Sequence, residues 1–145
     1  MLYKEIKKLA VKDLSQYHYL KNSIDTLSQE IKMLHNSSLY RSYSADNSVM
    51  SFSSADSKII NHISRIEYLE NQLKKNTDKI KNIDLALDTL RASQKEILFS
   101  YYINRQRKAV TRLAIDTHTD RSALYRRANR ALEKYILAYF GTLGE

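Results

Sequence analysis

The chain contains no cysteine, no proline and no tryptophan, and its two glycines, Gly141 and Gly144, both stand at the extreme C-terminus. Without cysteine there can be no disulfide and no thiolate metal site, and a reducing cytosol is permitted. Without glycine before position 141, P-loop and Rossmann phosphate cradles are excluded. With no proline, and with Leu, Ile, Lys and Ala common, nothing in the sequence breaks helices strongly, so an all-α protein is expected. No apolar run approaches the roughly 18 residues of a transmembrane helix. The first residues, MLYKEIKKLAVKDL, are charged throughout and lack the apolar core of a signal peptide. These absences predict a cytoplasmic protein that does not engage a membrane.

Two helical stretches with heptad character dominate the first 91 residues. Tyr3 to His35 reads as one long helix. Leu20, Ile24, Leu27, Ile31 and Leu34 alternate by four and three, with Ile at a and Leu at d, a choice that favours two parallel strands. In its first half Ile6, Leu9, Leu14 and Tyr17 are apolar, but Asp13 falls in the seam if it is extended backwards. Residues 36–57 carry nine serines and read as a flexible connection, although Leu39, Tyr40, Tyr43, Val49, Met50 and Phe52 suit docking on the chain's own helices or, as the alternative, on a partner. A second long helix should start near Ser54 to Asp56. Ile59, Ile66, Leu73, Ile80 and Leu87 recur every seven residues, with His62, Leu69, Asn76, Ile83 and Leu90 three positions on. Asn76 in such a seam demands a polar partner. A helix of that span is about 50 Å long and needs a partner helix, from the same chain folded back, from a second copy, or from both. Ser93-Gln94-Lys95-Glu96 then fits a capping box, predicting a new helix with Ile97, Leu98, Tyr101 and Tyr102 on one side and its end near Asn104.

Charge is concentrated at the other end. The formal charge is +8; Met1–Arg91 holds 14 basic and 11 acidic residues, whereas Ala92–Glu145 holds 10 basic and 5 acidic ones. Val110 to Tyr135, VTRLAIDTHTDRSALYRRANRALEKY, reads as two helices joined by a tight turn at His118-Thr119. Val110, Leu113 and Ala114 form the apolar side of the first. Asp120 is an N-cap for the second, in which Leu124, Ala128, Ala131, Leu132 and Tyr135 share one side. The other side carries Arg121, Ser122, Tyr125, Arg126 and Asn129. This is the layout of a helix-turn-helix, whose second helix offers its early residues to a DNA major groove.

Aligned on Ala131-Leu132-Glu133-Lys134, the stretch resembles the promoter-reading helix-turn-helix of bacterial sigma factors, region four. The matching positions are Val110, Leu113, Ala114, Arg121, Leu124, Ala131, Leu132 and Lys134. The layout of the whole chain resembles the RinA/ArpU-type late-gene activators of phages. Three positions depart from the motif: His118 where glycine is frequent, Thr117 where an apolar residue is usual, and Arg127 in place of a common isoleucine. Histidine is among the residues enriched at positive φ, so the first is tolerable.

The expected division is a helical hairpin or coiled coil over residues 1–91, with the connection at about 36–57, followed by a helix-turn-helix domain over 92–145. Arg121, Ser122, Tyr125, Arg126 and Asn129 are candidates to meet base edges. Arg105, Arg107, Lys108, Thr111, Arg112, Arg127 and Arg130 are candidates to hold phosphates, with a pair to Glu133 or Asp116 as the alternative for Arg127 and Arg130. Double-stranded DNA is the expected partner. The resemblance implies activation of phage late genes together with host RNA polymerase in a bacterial cytoplasm, and the seams suggest a homodimer. Two other classes share these features: a phage terminase small subunit, and a coiled-coil adaptor reaching polymerase through protein contacts. His18, His35, His62 and His118 are scattered without ligand spacing, and no serine has a nucleophile-elbow context. No metal site, cofactor or catalysis is expected. The tyrosines fall mostly on apolar helical positions, which suits core or interface better than base stacking.

Overall fold

A computed structural model describes residues 2–37, 54–105 and 107–144, leaving aside the side chains of Ser54, Ala55 and Arg107. The expected Ser-rich connection falls largely on residues 38–53, outside the described residues. Six α-helices follow in order: α1 (Tyr3–Ser15), α2 (Tyr17–His35), α3 (Ser54–Asp88), α4 (Ala92–Leu98), α5 (Arg107–Asp116) and α6 (Arg121–Phe140). A π-helical turn, Phe99–Ile103, continues α4. There is no strand among the described residues, and none of their helices is long and apolar enough to cross a membrane.

The expected helix from Tyr3 to His35 is two helices. Gln16 stands between them at φ −94° and ψ 0°, its N–H shared between the carbonyls of Lys12 (3.1 Å) and Asp13 (3.2 Å). The Ser15 hydroxyl also donates to the Lys12 carbonyl at 2.7 Å, the local competition that weakens helices at serine. The apolar phase slips here as well. Leu14, Tyr17 and Leu20 are separated by two successive steps of three, so the stripe on α1 does not run on into that of α2.

The chain forms two compact units, residues 20–78 and residues 1–19 with 79–145. This differs from a division at Arg91/Ala92: α1 and the end of α3 belong with the C-terminal helices. The reason lies in burial. On α1, Ile6, Ala10 and Leu14 are buried, and Leu9, expected to join them, is 40% exposed.

Within the unit 20–78, α2 and α3 run antiparallel as a helical hairpin. The Asn76 amide donates to Ser23 Oγ at 2.9 Å, Arg65 pairs with Glu30 at 2.8 Å, and His62 Nε2 lies 3.0 Å from the Leu34 carbonyl. Asn76 has the polar partner its seam position demanded, and it also accepts from Gln72 at 3.0 Å. The seam that suited a parallel pair is therefore taken up within the chain by an antiparallel one. Of the described residues in this unit only Ile31 and Ile66 are buried. Two helices cover one side of each other's stripe, and the flanks of Leu20, Ile24, Leu27 and Leu73 stay half-open.

The other unit holds the larger core. Ile83 and Leu87 from α3, Leu98 from α4, and Leu124, Leu132, Tyr135 and Ile136 from α6 are almost wholly enclosed. Within this unit α4 packs along α6. The expected capping box at Ser93 does not form. The cap falls two residues earlier, at Arg91, so that α4 starts at Ala92 and the Gln94 side chain accepts the Arg91 N–H at 3.1 Å. Gln94 thus takes the role expected of Glu96. Helix α6 ends at Gly141, whose φ of +74° is the left-handed conformation of a C-cap.

A polar cluster joins three helices of this core. Lys79 Nζ lies 2.9 Å from Asp13 Oδ2 and 5.0 Å above the Tyr139 ring, which stacks on Tyr135. Burial, then Asp13, then Tyr139 raise the Tyr135 pKa, and its hydroxyl is buried without a hydrogen-bond partner among the described residues. A buried polar group left unpaired costs about 1–3 kcal/mol. Tyr135→Phe, which keeps the ring, should therefore leave stability unchanged or raise it in urea unfolding. A loss above about 1 kcal/mol would mean that the hydroxyl is bonded.

Candidate nucleic-acid interface

Between α5 and α6 the chain reverses through a left-handed residue. His118 has φ +51°. Its N–H bonds the Ile115 carbonyl (3.2 Å), and the Thr119 N–H bonds that of Ala114 (3.0 Å). This is a Schellman ending, with histidine where glycine usually stands. Thr117, at a position expected to be apolar, turns its hydroxyl onto the Leu113 carbonyl at 2.7 Å and so needs no burial. Asp120 then caps α6, its Oδ1 accepting the Ala123 N–H at 2.7 Å. Asp120→Ala should cost about 0.5–2 kcal/mol in chemical denaturation. A change below the error of the fit would show that the cap contributes nothing.

The apolar side of the motif is as expected. Leu113, Leu124, Ala128, Ala131, Leu132 and Tyr135 are buried, and Val110 and Ala114 are half-buried. This fixes the rotation of α6, because at 100° per residue the opposite side of its first two turns must face out. Ser122, Tyr125 and Arg126 are exposed there. Arg121 is exposed too, but its guanidinium donates to Thr111 Oγ1 of α5 at 3.2 Å, tying the two helices together. Asn129 departs from this group. It is half-buried and accepts from Lys7 of α1 at 3.5 Å, which ends the open part of the face after two turns.

The phosphate candidates divide as well. Lys108 and Arg112 are exposed on the outer side of α5, alongside Thr111 and the 67% exposed Ile115. Arg107 opens α5. Arg127 and Arg130 point elsewhere: they line a cleft with Gln94, Glu96 and Ile97 of α4, and Arg127 donates to Thr119 at 3.4 Å. Neither pairs with Glu133 or Asp116 among the described residues. Glu133 instead accepts from the Tyr3 hydroxyl at 3.5 Å.

The helix expected after Ser93, with Tyr101 and Tyr102 on one side, ends in the π turn, which the sequence did not announce. That turn sets Tyr101 and Tyr102 beside Tyr125, closed by the Asn104 N–H on the Phe99 carbonyl at 2.7 Å. The Tyr102 pKa is pushed up to about 12, by burial first and then by the neighbouring Tyr125, Tyr101 and Tyr3. The folded state holds this proton more tightly than the unfolded chain, whose tyrosines titrate near 10. Its contribution is thus fully present below about pH 10 and is lost as pH rises towards 12. Alkaline unfolding should move to higher pH in Tyr102→Phe. An unchanged midpoint would remove Tyr102 from the cause.

Helix α1 supplies a second feature that the heptad reading obscured. Its buried Ile6, Ala10 and Leu14 face the core, and Lys4, Lys7, Lys8 and Lys12 form the opposite side, lining a shallow groove with Arg105. The signal was present in the sequence as lysines and apolar residues at interleaved spacings of three and four. Arg105, a phosphate candidate, has φ +48° in the loop before α5. Comparison of the chain with protein-family models, with curated proteins and with solved structures found no match.

Proposed function

We propose that this protein is a sequence-specific, double-stranded DNA-binding regulator of transcription that reads its site with the first two turns of α6. The observation that carries the reading is the exposed group Ser122, Tyr125 and Arg126, set on a helix capped by Asp120 and held to α5 through Arg121 and Thr111. Arg126 has no partner among the described residues, and Lys108 and Arg112 stand exposed on α5 alongside Thr111, the residue that Arg121 contacts. A planar guanidinium on an early turn of such a helix matches guanine O6 and N7 in the major groove, and exposed cations on the preceding helix match phosphates. Arg121 contributes by fixing α5 against α6. Asn129, held by Lys7, supports the face from behind.

The resemblance to sigma region four and to the RinA/ArpU-type activators extends this to the finer proposal of a phage late-gene activator working with host RNA polymerase. A second copy of the chain is part of the proposal, because the half-open flanks of the α2–α3 seam suit a further helix pair. The deciding experiment is selection from a random duplex pool at about physiological salt, with an Arg121→Ala, Arg126→Ala double variant alongside. An enriched motif that disappears in the variant is the expected result, and a palindromic motif would report two copies. Retention of DNA with no enriched motif would overturn specific readout.

A further inference from the structure

We infer that α1 is a second DNA-contacting element, a phosphate clamp that extends the duplex footprint beyond the helix-turn-helix. This rests on the proposal that the chain binds duplex DNA, but it concerns residues outside the motif.

Three observations carry it. Lys4, Lys7, Lys8 and Lys12 lie on one side of α1 within about three turns, and no carboxylate pairs with any of them among the described residues. Of the two carboxylates on α1, Asp13 is engaged by Lys79, and Glu5, exposed at the edge of the lysine side one turn before Lys8, accepts the Leu2 N–H. Secondly, Arg105 joins this side from the loop before α5, although its φ of +48° is unfavourable for a residue with a side chain. Thirdly, Lys7 reaches Asn129, one turn beyond Tyr125 and Arg126, so the lysine side begins where the reading face of α6 ends. A surface of four lysines and Arg105 against the single carboxylate of Glu5, adjoining a reading face, fits the closely spaced charges of a duplex backbone. It does not fit insertion into a membrane, because the apolar side of α1 is already used in the core: Ile6, Ala10 and Leu14 are all buried.

The test compares the full chain with a Lys4→Gln, Lys8→Gln, Lys12→Gln variant. Lys7 is kept because it holds Asn129. These side chains are exposed, so circular dichroism should be unchanged. Each phosphate contact contributes about 0.9 to the slope of log affinity against log salt. The variant should therefore lose roughly 2–3 from the slope and bind about ten- to a hundred-fold more weakly near 0.1 M salt, equally on selected and random duplexes. The selected motif should be the same, and a hydroxyl-radical footprint should shorten on one flank only. An unchanged slope and footprint, with the parent still selecting its motif, would overturn the clamp and leave the recognition helix standing. Lysine-dependent capture by anionic lipid vesicles with an unchanged duplex slope would also overturn it. No duplex binding by the parent at low salt would overturn both.

Discussion

Leu14→Ala should destabilise the unit that carries the helix-turn-helix by about 2–5 kcal/mol, although Leu14 lies more than ninety residues before the motif in the chain. Leu14 is fully enclosed, and α1 packs on both the π turn and α6. Removing three carbons there loses their transfer free energy and leaves a cavity that rigid neighbouring helices can close only in part. Small domains are stable by only about 5–15 kcal/mol, so this is a large share. The comparison that makes the test sharp is Leu9→Ala on the same helix. Leu9 is 40% exposed, and its loss should stay within about 0.5 kcal/mol, as for surface substitutions. Urea unfolding followed by circular dichroism measures both. Equal, small effects would mean that α1 is not part of this core, and the boundary at Ala92 would stand.

That boundary shows where sequence legibility ended. The second helix of the motif was readable almost residue by residue, because Leu124, Ala128, Ala131, Leu132 and Tyr135 obey one helical period and Asp120 announces its start. Asn76 was readable because a polar residue in an apolar seam has few satisfactory solutions. Helix α1 was harder. Its stripe, Ile6, Ala10 and Leu14, is nearly in phase with the heptads that follow, and only the slip across Tyr17 separates them. Alanine at position 10 gave little hydropathy signal, and Leu9 gave a misleading one. The cap at Arg91 was concealed because Ser93 and Glu96 offered an equally sound local pattern. Which box forms depends on where α3 stops, and that is settled by the burial of Ile83, Ala86 and Leu87. Asn129 illustrates the same limit at the interface. Its position on α6 pointed to the reading face, but what reached it first was Lys7, from the other end of the sequence.

Arg126→Ala should weaken binding to the selected duplex by about 1–3 kcal/mol, roughly five- to 150-fold, and relax preference at one base position. A bidentate guanidinium contact to guanine is replaced by nothing that discriminates the four base pairs, so the loss should be much smaller on random duplex. Lys108→Ala supplies the contrast. Lys108 is exposed on the outer side of α5 and can offer a phosphate only charge. Its removal should weaken binding to every sequence alike and lower the salt slope by about 1. Titrations of both variants on both duplexes, at several salt concentrations, separate the two roles, since specificity and slope respond to different contacts. Asn129→Ala belongs in the same series. If Lys7 holds this side chain away from the groove, its removal should leave base preference intact. A base preference altered by Asn129→Ala, with Arg126→Ala acting equally on both duplexes, would shift the reading face one turn along α6 and require Lys7 to release Asn129 when DNA binds.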